Sequence, residues 1–178
     1  MLQSNNMDSK TRKEIEEYVK SKRWTPLDFY WKHAFQVRDF ALLLAKDLGG
    51  DTDVIEASAL LHDIGKSELL APGHEEISSR LSKDFLEKTN FDSTKIPLVQ
   101  ECLEYEDFKT LESRILRTAD SMALIMDKDW QEWYFENVLR NDKERILEEV
   151  KKSYEDIEFD IGQNIVRDNY NRIIEKYN

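Results

Sequence analysis

Only five glycines and three prolines punctuate 178 residues, and apolar positions recur three and four apart along nearly the whole length. That spacing is the helical period. The two-residue alternation of a half-buried strand is almost absent. A chain patterned this way buries its apolar stripes by packing helix against helix. The expected fold is therefore all-α, a single-domain helical bundle with enough residues to enclose a sizeable core.

The opening residues 1–8 are polar and are expected to be disordered, which leaves 9–178 as the domain. A first short helix is expected over about 10–22. The stretch "WTPLDFYWKHAFQVRDFALLLAKDLGG" then reads as one long helix. Thr25 is its N-cap, Pro26 its first position, and Gly49-Gly50 its end. A third helix is expected from Asp53 to about His62, with Glu56 as half of a capping box. A loop over 65–73 follows, then helices over about 74–90, 95–106 and 110–127. The remainder, 128–178, reads as two further helices, broken near Asn141-Asp142 or Asp160–Gly162.

Several function classes recede on composition. No run approaches the ~20 apolar residues of a membrane helix, and "MLQSNNMDSK" carries no apolar leader. The single cysteine, Cys102, excludes an internal disulfide and suits the cytoplasm. A net charge of −11 argues against nucleic-acid polymers and anionic membranes, whose phosphates call for a basic footprint. A small phosphorylated substrate stays open, because a bound divalent cation reverses the field within a pocket.

The chain has three histidines, His33, His62 and His74. His33 shares a helical stripe with Val37, Ala41, Leu44 and Leu48. His62 ends the stripe of Ile55 and Ala59, with Asp63 directly after it. Asp120 sits between Leu116 and Leu124. Three helices thus aim polar side chains inward. A hydrogen-bonded core histidine is the plainer reading of each imidazole alone. An inward Asp120 is harder to accommodate, because an unpartnered buried carboxylate is costly and no Lys or Arg shares its stripe. One divalent metal would satisfy both imidazoles and both carboxylates, and nitrogen and oxygen donors suit Mn, Fe, Zn or Mg. Spacing by itself leaves both readings open.

The order of these residues resembles the HD superfamily of metal-dependent phosphohydrolases. The stretches that carry the resemblance are "KHAFQVRDFA", "ALLHDIGK" and "RTADSMAL", spanning about residues 30–127. His62 follows His33 by 29 positions, and Asp120 follows Asp63 by 57. The resemblance implies an HD-type bundle with a metal-site core over about 30–127 and a C-terminal helical extension over 128–178. It implies a metal, one of Mn, Fe, Co, Mg or Zn, held by His33, His62, Asp63 and Asp120. Family members with two metals add further histidines. His74 matches one of them, while Glu106, in "CLEYED", stands where the other is expected, so one or two metals per chain are both consistent.

By the same resemblance the substrate is a small phosphorylated molecule, a nucleotide foremost, attacked by metal-activated water. Asp63 would orient that water and Lys66 would reach the phosphate. Arg38 is a lesser substrate candidate, since it lies about 140° round the helix from His33. Arg114 and Arg117 are weaker still. Two alternatives share the scaffold: a diiron oxygenase, and a non-catalytic metal-stapled sensor or partner-binding protein. The aromatic runs "FYW" (29–31) and "WQEWYF" (130–135) read as core or homodimer anchors rather than as a nucleobase platform.

Overall fold

The structure, a computed structural model, describes residues 7–22, 29–69, 73–104 and 108–178. Among these residues the chain is all-α, as its periodicity predicts. In order come α1 (Ser9–Ser21), α2 (Phe29–Leu48), α3 (Thr52–Leu61), α4 (His74–Leu86), α5 (Ile96–Leu103), α6 (Leu111–Met126), α7 (Lys128–Asn137), α8 (Lys143–Asp156) and α9 (Asp160–Tyr177). Short 3-10 turns at Ile64–Ser67 and Ser93–Lys95 precede α4 and α5. None of the described helices is long and apolar enough to cross a membrane. The chain divides into two units, Met1–Leu116 and Arg117–Asn178. The division falls within α6, ahead of the expected start of a C-terminal extension at residue 128.

Local chemistry sets the boundaries. Asp8 caps α1 by accepting the amides of Lys10 and Thr11, both at 2.9 Å. Met7 is buried, and its amide donates to the Asp53 carboxylate. Met7 and Asp8 are thus among the described residues, and residues 1–6 lie outside them. So do Thr25 and Pro26, the expected start of the long helix. That helix ends where expected, because Gly49 and Gly50 take φ of +83° and +97°, the left-handed conformation that costs glycine nothing.

The cap of α3 is Asp51 rather than Asp53. Asp51 accepts the amides of Asp53 at 3.0 Å and Val54 at 3.3 Å. Two aspartates two positions apart offer the same cap, and the first one takes it. Residues 128–178 form three helices rather than two, because both candidate breaks are used: Asp142 caps α8, and α9 begins at Asp160.

In the first unit α3 is the central helix. Every residue from Asp53 to Leu61 is buried, and α2, α5 and α1 pack around it. A helix buried on all sides tolerates small and apolar residues, which "VIEASALL" supplies except at Glu56. Glu56 does not complete a capping box. It receives the Arg12 guanidinium of α1 at two points, Nε at 2.7 Å and Nη2 at 2.9 Å. The carboxylate side chain is 6% exposed and the guanidinium 38%. Arg12→Ala should leave a buried charge without its partner. The expected loss is about 2 kcal/mol, below the 3–5 of a fully buried pair because water reaches the arginine. Urea denaturation measures it.

Cys102, on the buried side of α5, is enclosed, and burial pushes its thiol up to about 12. A thiol-specific aromatic disulfide at pH 8 should therefore label it only after denaturation.

In the second unit Ile146 and Val150 of α8 and Val166 of α9 are fully buried. Tyr154 and Tyr170 stack at 4.1 Å between these two helices. Trp130 of α7 packs on Trp133 and Tyr134, with ring centres 5.2 and 5.8 Å away. Arg117 pairs with Asp156.

Candidate metal centre

The stripe of α2 is buried as its spacing predicts. Val37, Ala41 and Leu44 are fully enclosed, and His33, one turn earlier, is 3% exposed. His62 closes α3 and is 0% exposed. Its Nδ1 lies 2.8 Å from the Ala59 carbonyl oxygen. A carbonyl only accepts, so Nδ1 carries the proton, and in the neutral ring Nε2 presents its lone pair. The two imidazoles are 5.4 Å apart between ring centres.

Asp63 then leaves the helical path, with φ −103° and ψ 6°, and its carboxylate joins the histidines. One donor atom each from His33, His62 and Asp63 lies within 4.8 Å of the others, and all three residues are buried. Donors about 2.1 Å from one cation stand about 3.0–4.2 Å from each other in octahedral geometry. The His62 Nε2 to Asp63 Oδ2 distance of 3.5 Å already falls in that range. Two nitrogens and an oxygen, brought together by three buried residues, fit a divalent metal.

Further partners surround the carboxylate. Lys66 Nζ donates to Oδ2 at 2.6 Å, and His74 Nε2, from the first residue of α4, stands 3.2 Å from Oδ1. Burial alone would push the Asp63 carboxyl up. The Lys66 charge, His62 and His74 outweigh it and hold the group well below the usual carboxylate range. Asp63 is thus a ready anionic ligand at neutral pH. Because its folded-state value is depressed, its contribution to stability is present above the unfolded value near ~3.9 and is lost as pH falls through the folded value. Metal-free protein should accordingly weaken below about pH 4, and Asp63→Asn should flatten that dependence in denaturation curves taken across acid pH.

Asp120, Glu106 and Arg38 are the remaining expected residues. Asp120 is half-buried on the part of α6 that belongs to the second unit. The fully buried face of α6 runs through Ile115, Leu116, Ala119, Met122 and Ala123, so Asp120 and Leu124 flank that face rather than lie along its centre. Glu106 lies outside the described residues. Arg38 has partners on α1 and on its own helix. Its guanidinium pairs with Glu16 of α1 and with Asp39, both at 2.8 Å, and lies 4.7 Å over the Phe35 ring. It ties α1 to α2.

Spacing alone also passes over Ser78 and Gly65. Gly65 donates its amide to the buried Ser78 hydroxyl at 2.9 Å. A Cβ on Gly65 would fall 2.1 Å from the His74 carbonyl oxygen and 2.7 Å from the Ser78 nitrogen. The available signal was a glycine two positions after the His-Asp pair, facing a helix that carries three serines in "ISSRLS".

The family model described as HD domain matches residues 30–125. Ribonuclease Y of Clostridium novyi is 32% identical over 130 residues, which cover 71% of this chain and 24% of that protein. Ribonuclease Y of Clostridium tetani is 29% identical over 130 residues, covering 71% of this chain and 23% of that one. The chain thus spans about a quarter of the length of the curated relatives it matches. No solved structure is a significant match. With the matched span holding His33, the His62-Asp63 pair and Asp120 in order, the chain belongs to the HD domain family, whose members are generally metal-dependent hydrolases.

Proposed function

We propose that the chain hydrolyses a phosphate ester or phosphoanhydride of a small molecule, a nucleotide foremost, at a metal held by His33, His62 and Asp63. The observation that carries this reading is the buried set of donors from His33, His62 and Asp63, all within 4.8 Å of one another. A divalent cation in such a site supplies hydroxide at neutral pH and offsets charge on a phosphoryl oxygen.

The chain's own residues do the rest. His62 is fixed in one tautomer by the Ala59 carbonyl, which aims Nε2 into the site. Asp63 stays ionised and orients a water placed beside it by accepting its hydrogen bond. Lys66 is 23% exposed on the solvent side of Asp63. Its ammonium has the reach to leave Oδ2 for an incoming phosphate, so that one cation serves the carboxylate before substrate arrives and the phosphate afterwards. His74, 15% exposed, stands where it steadies Asp63 or joins a second cation.

A second reading places the scissile phosphodiester in RNA. The names of the matched relatives favour it. The net charge of −11 weighs against a polymer.

Both readings are tested with Mn2+-loaded protein, a panel of nucleotides, an aryl phosphate and a single-stranded RNA oligonucleotide. Metal-dependent phosphate release from nucleotides, abolished in Asp63→Ala, supports the first. Cleavage of the oligonucleotide with inert nucleotides replaces it with the second. No metal-dependent turnover of any of them overturns both.

A further inference from the structure

We propose that Ser78 is a positioning residue for the candidate metal centre: by accepting the Gly65 amide it sets how far Asp63 stands from His74. Asp63 stands just before the 3-10 turn at Ile64–Ser67 and His74 begins α4, with residues 64–73 between them. Nothing in the covalent chain fixes their distance. The Ser78 hydroxyl does, because it reaches from the second turn of α4 to the 3-10 turn that follows Asp63. The bond is 2.9 Å long and buried, and Ser78 is 0% exposed. Water is excluded, so no solvent molecule takes over the Gly65 amide if the hydroxyl is removed.

His74 and Ser78 lie four positions apart on one face of α4. The Gly65 Cα lies against both, close enough that a Cβ there would meet the His74 carbonyl oxygen at 2.1 Å and Ser78 Oγ at 2.9 Å. The turn is therefore seated between these two residues, and the Asp63 Oδ1 to His74 Nε2 contact of 3.2 Å is the outcome of that seating. Its consequence for metal affinity rests on the proposed function; the positioning itself does not.

The test uses the full chain as Ser78→Ala, with Ser82→Ala as control. Ser82 lies one turn further along α4, is equally buried, and its hydroxyl has no hydrogen-bond partner among the described residues. The first readout is the His74 ring nitrogens in metal-free protein, followed by proton–nitrogen correlation NMR at one pH. Ser78→Ala should move the His74 Nε2 signal away from its carboxylate-bonded position, and Ser82→Ala should leave it in place. The second readout is Mn2+ titration by calorimetry. Loss of an outer support of a metal ligand typically weakens binding about 10–100-fold, and that is expected for Ser78→Ala alone.

An unchanged His74 signal in Ser78→Ala overturns the proposal, as does an equal shift in both variants. If the ring signals behave as expected while the unsubstituted chain binds no Mn2+, the metal reading fails and the positioning role stands.

Discussion

Replacing Asp63 by alanine should empty the site of metal and lower phosphate release by more than about a hundredfold, since loss of a mere outer support already costs 10–100-fold. Asp63 is the only carboxylate in the three-residue cluster. It also gathers Lys66 at 2.6 Å and His74 at 3.2 Å, so its removal dissolves three relationships at once. Two buried imidazoles alone bind a divalent cation poorly, because nothing offsets its charge. The fold should survive: with its carboxylate gone, the partly exposed Lys66 ammonium extends into water on its flexible stem. The paired variant is Arg38→Ala. Its guanidinium is committed to Glu16 and Asp39, so hydrolysis should stay within about threefold, a ΔΔG‡ near ~0.7 kcal/mol. Phosphate release and metal content, measured side by side on the two variants, decide the matter. Equal losses in both would mean that the cluster is not the seat of the chemistry.

Gly65→Ala should be the most damaging single methyl that can be added to this unit. The new Cβ would land 2.1 Å from one backbone oxygen and 2.7 Å from a backbone nitrogen. These belong to the first turns of α4 and cannot rotate away as a side-chain tip would. Either the 3-10 turn lifts off α4 or α4 shifts, and both outcomes break the Gly65–Ser78 bond. Overpacking of a tight core costs about 1–3 kcal/mol, and backbone neighbours put this case at the upper end, near ~3 kcal/mol. For a chain of this length that is a fall in Tm of roughly 6–12 °C. Circular dichroism during heating measures it. His74 should also separate from Asp63, so metal affinity should fall with stability. A shift under about 2 °C would show that α4 does not lie where the structure has it.

The sequence displayed the all-α fold and the buried stripes of α2 and α3 because both follow from one-dimensional period. His33 with Val37, Ala41 and Leu44, and His62 with Ile55 and Ala59, lie on stripes that burial bears out residue by residue. What period cannot do is rank neighbouring stripes. On α6 the spacing of Leu116, Asp120 and Leu124 looked inward, yet the deeper face is centred about 100° away at Ala119 and Met122. Choices between near-equivalent groups were equally hidden, as with Asp51 over Asp53 for the α3 cap. Partners distant in the chain were illegible for a different reason. Glu16 with Arg38, Arg12 with Glu56, and Ser78 with Gly65 meet only because helices have packed, and no local pattern records how closely two helices will approach.

The central claim is that His33, His62 and Asp63 grip a single cation between them. Elemental analysis of the full chain purified without chelators, beside His62→Ala prepared identically, tests it most directly. The expected result is at least one equivalent of a divalent metal per chain in the parent protein and less than about a tenth of that in the variant, since loss of even an outer support of a metal ligand weakens binding about 10–100-fold. Equal metal content in the two, or none in the parent even after incubation with Mn2+, would contradict it.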